Sequence, residues 1–78
     1  MADLKKILTD IAAAIVDKPE EINIVQTEDG DNITLVLNVA PDDMGKVIGR
    51  HGRIAKAIRL VMKAAANTVD KKVTVEIK

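Results

Sequence analysis

The chain has 78 residues, with twelve Lys and Arg balanced by twelve Asp and Glu, and no cysteine. That length is near the lower limit at which a hydrophobic core suffices without staples, and the missing cysteines exclude disulfides and thiolate metal sites. Hydrophobic residues make up 47% of the chain and none is aromatic, so an aliphatic core is expected, folded as one domain over residues 1–78. No apolar run approaches the roughly 20 residues of a membrane span, and acidic Asp3 precedes any apolar segment, unlike a secretory signal. The expected location is the cytoplasm.

Asp3 is placed to cap a helix in which Leu4, Ile7, Leu8, Ile11 and Ile15 keep helical spacing to about Val16. Asp17-Lys18-Pro19 ends it. Ile22 to Thr27 is rich in β-branched residues and reads as a strand, and Glu28-Asp29-Gly30-Asp31-Asn32 is a cluster of turn formers. Ile33, Leu35, Leu37 and Val39 then alternate with Thr34, Val36 and Asn38, which makes a second strand and a hairpin.

Ala40-Pro41-Asp42-Asp43 is a helix start, because proline suits the first turn and the two acids favour the positive end of the dipole. The short helix runs to about Ile48, and Met44, Val47 and Ile48, at i, i+3 and i+4, give it one face to bury. Gly49-Arg50-His51-Gly52 follows, a turn bracketed by glycines that lets another backbone or a phosphate come close to the main chain. A long helix begins at Arg53 and reaches about Val69. Its first amides and the positive end of its dipole are aimed at whatever sits over the turn. An anion suits that position.

On the long helix Arg53, Lys56, Arg59, Lys63, Asn67 and Asp70 form one polar stripe, and Ile54, Ile58, Val61, Met62, Ala65 and Val69 are expected to pack on a sheet. Ala57, Leu60 and Ala64 carry the apolar surface round a second side. Either alanine is there simply as a good helix former, or a partner, a second copy or another protein, covers that side. Ala57, Leu60, Val61 and Ala64 are then the interface candidates. Val73, Val75 and Ile77, alternating with Lys72, Thr74, Glu76 and Lys78, read as a closing strand.

A net charge of zero argues by itself against a nucleic-acid partner. Its distribution argues for one, since every charged residue from Met44 to Val69 is basic: Lys46, Arg50, Arg53, Lys56, Arg59 and Lys63. A charge run alone is often an ordinary solvated helix face; beside the glycine turn it reads as an anion-binding surface. Nothing in the residues points to catalysis. There is one histidine, His51, and no serine or cysteine, so no nucleophile has an activating partner. Asp42 and Asp43 are better explained by helix capping, and Asp29 and Asp31 by the turn, than by a metal. Gly49 to Ile54 lacks the Lys-Ser/Thr of a P-loop. No cofactor and no small-molecule substrate are expected.

Ile48-Gly49-Arg50-His51-Gly52-Arg53-Ile54 resembles the I-G-x-x-G-x-x-I core of the KH domain, whose loop clamps the backbone of about four single-stranded nucleotides. The order α-β-β-α-α-β over the whole chain resembles the bacterial, type II, arrangement, and through it the small bacterial single-KH proteins of the KhpA family. The resemblance implies an α+β fold with helices on one face of a three-stranded mixed sheet. It implies single-stranded RNA as ligand, held by Gly49, Arg50, His51 and Gly52, with Lys46, Arg53 and Lys56 on neighbouring phosphates. Val47, Ile48, Ile54, Leu35 and Leu37 would supply an apolar floor, though most of these are better read as core than as contact. It also implies a homodimer, or a KH partner of the KhpB or Jag type, and a role as RNA chaperone or post-transcriptional regulator. The rival reading is a KH-fold protein-interaction module working through the spare side of the long helix. With no Phe, Trp or Tyr, base stacking worth about 1–3 kcal/mol per base is absent, so one domain should bind weakly and with little base preference.

Overall fold

The computed structural model describes residues 3–78. The elements are α1 (Leu4–Ile15), β1 (Asn23–Asp29), β2 (Asn32–Asn38), α2 (Met44–Ile48), α3 (Arg53–Asn67) and β3 (Lys72–Ile77), with single 3₁₀ turns at Pro19–Glu21, Pro41–Asp43 and Arg50–Gly52. The sheet order is β1-β2-β3, with β1 and β2 antiparallel and β2 and β3 parallel. This is the expected α+β architecture of a type II KH domain.

Asp3 caps α1 as its sequence position suggests, accepting a hydrogen bond from Lys6 N–H at 3.1 Å. The parallel register sets Ile33 beside Val73, Leu35 beside Val75 and Leu37 beside Ile77, which gathers the apolar side chains of both strands on one face. Leu4, Leu8 and Ala12 of α1 and Ile58, Met62 and Ala66 of α3 cover that face. Leu8, Leu35, Leu37 and Met62 have no exposed surface. Toward the hairpin tip, Gln26 and Glu28 of β1 stand opposite Leu35 and Ile33 and remain in solvent.

Two expectations change. The strand expected to stop at Thr27 continues to Asp29, because Glu28 pairs with Ile33 and Asp29 with Asn32, and only Gly30-Asp31 turns. Lys71 supports the tip from the far side, its ammonium 3.6 Å from Glu28 and 3.7 Å from Asp31. On α3 the buried residues are Ala55, Ile58, Met62 and Ala66, whereas Ile54 and Val61, expected in the core, are 38% and 49% exposed. The physical reason is size: Ala55 and Ala66 bring the helix backbone close to the sheet, so the face in contact is the one with small residues at its edges. No helix among the described residues is long and apolar enough to cross a membrane.

Candidate nucleic-acid interface

The glycine turn stands between α2 and α3. A five-residue helix is too short to hold itself in water, so tertiary contacts must place α2. Val47 is fully buried and Met44 half-buried, while Ile48, expected on the buried face, is 39% exposed beside the turn. Asp43 does not cap its own helix, contrary to the expectation from sequence. Its buried carboxylate accepts hydrogen bonds from Asp17 N–H at 3.1 Å and Lys18 N–H at 3.0 Å, just past α1. Burial pushes this carboxyl up. The two N–H donors and the charges of Lys46 and Lys18 outweigh burial and hold it below the ordinary carboxylate range.

Within the turn, Gly49 has φ 74° and Gly52 φ 72°, values that side chains rarely allow, and His51 between them also has positive φ, at 57°. A Cβ at Gly49 would lie 2.9 Å from Ile54 Cβ, so glycine is required there by space as well as by backbone. Both glycine amides are bonded. Gly49 N–H donates to Gly45 C=O at 2.9 Å and Gly52 N–H to Gly49 C=O at 3.2 Å. The glycines therefore shape the turn and admit close approach.

Arg50, His51, Arg53 and Lys56 are exposed around the turn. Among the described residues the acids pair with lysines elsewhere: Lys6 with Asp10, Lys18 with Asp42, Lys46 with Asp17 and Asp43, Lys71 with Glu28 and Asp31. Arg50, Arg53, Lys56, Arg59 and Lys63 have no acidic partner there, so their field is not cancelled locally. Arg59 Nε donates to Val75 C=O at 3.2 Å, which fixes the basic side of α3 next to β3. Lys46 is set apart from this group. Its ammonium bonds to the Asp17 carboxylate and lies 3.8 Å from Asp43; the Asp17 hydrogen bond, against some desolvation, raises its pKa.

Leu35, Leu37 and Val47 are wholly buried, so they are core and not the floor of a groove. Ile48 and Ile54 are the apolar residues that flank the turn in solvent. Beyond them Ala57, Leu60, Val61 and Ala64 are all exposed on the side of α3 away from the sheet, with Leu60 at 69%. At about 100° per residue α3 has three sides, one in the core, one basic beside β3 and one apolar in solvent.

The family described as "KhpA/KhpB, KH domain" matches residues 5–77. The chain is 53% identical over 74 residues to "RNA-binding protein KhpA" of Clostridium perfringens, covering 95% of this chain and 99% of the relative. Proteins of the same description from Halalkalibacterium halodurans and Listeria monocytogenes are 43% and 40% identical, each over 95% of this chain and 97% of its own length.

Proposed function

The chain belongs to the KhpA/KhpB KH-domain family, and from that premise we propose that it binds single-stranded RNA through the turn at Gly49–Gly52. The observation that carries the reading is the positive-φ turn at Gly49–Gly52, set at the start of α3 and surrounded by basic side chains without acidic partners among the described residues. A phosphate over the turn would meet the positive end of the α3 dipole and the charges of Arg50, Arg53 and Lys56. Gly49 and Gly52 admit the sugar-phosphate backbone, and Ile48 and Ile54 offer apolar contact to the bases beside it. Lys46 joins the contact only by leaving Asp17. The role is binding and not catalysis, in an RNA chaperone or post-transcriptional regulator of the cytoplasm.

Weak binding by one domain calls for a second surface. The exposed apolar side of α3 at Ala57, Leu60, Val61 and Ala64 supports self-association, or assembly with a KH protein of the KhpB or Jag type. The same surface supports the second reading, a module that acts mainly by binding protein.

Fluorescence anisotropy of a labelled single-stranded RNA pool tests the first reading at two salt concentrations. Native binding is expected to weaken with salt, with a slope of roughly 0.7 per neutralised phosphate. An Arg50→Asp, His51→Asp double variant, shown folded by circular dichroism, is expected to lose it. Equal binding by the two proteins would remove the turn as the working site and leave the protein-binding reading in front.

A further inference from the structure

Asp43 is the buried charged residue among the described residues, and RNA contact gives it nothing to do. Its two oxygens take the amides of consecutive residues, Asp17 and Lys18, which lie 26 and 25 positions earlier in the chain. These are the first amides past Val16, whose own N–H closes α1 on Ala12 C=O. Without Asp43 they would be donors left over at a part-buried helix end, which is costly. The fastening is reciprocal. Lys46 reaches back from α2 to the Asp17 carboxylate, and Lys18 reaches Asp42 at 3.5 Å. Asp43, just before α2, and Val47 within it, at i and i+4, share a face, so α2 has an ionic anchor at its start and an apolar anchor near the turn.

We propose that Asp43 is a positioning residue for the Gly49–Gly52 turn: by latching the end of α1 to the start of α2 it fixes the direction in which α2 delivers the turn, and through that the affinity for RNA. The inference rests on the RNA-binding reading. Gly49 lies six positions after Asp43, about 9 Å of helix rise, so a tilt of roughly 10° at the latch moves the turn by about 1.5 Å. That is enough to take a donor of the turn, such as the exposed Arg50 guanidinium, out of hydrogen-bonding range of a phosphate held by the rest of the surface. The charged groups around the carboxylate are Asp17 and Lys18 from the end of α1, and Asp42 and Lys46 from its own side.

The test compares native protein with Asp43→Asn, which keeps shape but offers one acceptor oxygen and turns an NH₂ group toward the second amide. Amide exchange by NMR is expected to quicken at Asp17 and Lys18, and with them at Val47, Ile48 and Gly49. The Kd for a short fluorescein-labelled single-stranded RNA of random sequence is expected to rise about tenfold while circular dichroism stays native. A folded Asp43→Asn protein with native Kd overturns the proposal. If that variant does not fold, native-state exchange decides: a shared opening of Asp17, Lys18 and Val47–Gly49 below global unfolding supports the latch, and exchange of these amides only through global unfolding overturns it. If native protein binds no RNA, the RNA reading fails by itself, and the exchange result still judges whether Asp43 holds the turn.

Discussion

At Gly49 and Gly52 the backbone is left-handed for different reasons, and substitution should separate them. Nothing lies within 4 Å of a Cβ on Gly52, so Gly52→Ala is expected to cost only the left-handed conformation, about 1–2 kcal/mol. Gly49→Ala must also displace Ile54, and is expected to cost more and to disturb the turn itself. His51→Gly relieves a positive φ but frees the unfolded chain, and is expected to stay within about 0.5 kcal/mol of native. Urea denaturation of the three variants checks the order. The two glycines and the basic residues near them were legible in the sequence, because spacing and residue type carry that signal. How the turn closes on itself was not. That depends on Gly49 folding back on Gly45 and Gly52 on Gly49, and such bonds leave no trace in side-chain chemistry.

Among the elements, α3 shows what periodicity can and cannot assign. Its basic stripe and its surplus of apolar residues were both legible, but large residues were taken to mark the core. Ile54 and Val61 stand in solvent while Ala55 and Ala66 are buried, since close packing on a sheet favours small side chains at the edges of the contact. The sides should respond differently. Met62→Ala empties a site with no exposed surface and is expected to cost about 2–5 kcal/mol. Leu60→Gln with Val61→Gln changes exposed positions, and is expected to leave monomer stability within about 0.5 kcal/mol at each. Light scattering at several concentrations should show self-association in the native protein and its loss in that double variant. The strands were legible in position and face, and β1 was underestimated because Glu28 and Asp29 carry turn-forming character but pair across a tight turn.

For the whole molecule, zero net charge conceals a segregation in which acids are spent on lysines away from the turn. The pairing across 25 residues that buries Asp43 was not legible, since a local reading explains two acids after a proline by capping. It gives the protein a pH dependence. The Asp43 carboxyl is held low in the fold, so its contribution is fully present above the unfolded value of about 4 and is lost as pH falls through the folded value. Lys46 is held high, so its contribution is present below about pH 10.4 and is lost as pH rises through its folded value. Urea midpoints across pH should fall at both ends. Asp43→Asn is expected to flatten the acid limb, and Lys46→Met the alkaline one. The parallel pairing of β2 with β3 has a consequence for assembly of the chain. β1 and β2 meet through a turn of two residues, whereas β3 joins β2 only after the segment from Asn38 to Lys72 has doubled back. Gly49–Gly52 lies inside that segment, so the sheet is completed by closing a long loop around the glycine turn. A ligand that ordered the turn would shorten the slack chain to be closed and lower its entropy cost, so RNA held there would aid the folding of the protein that grips it.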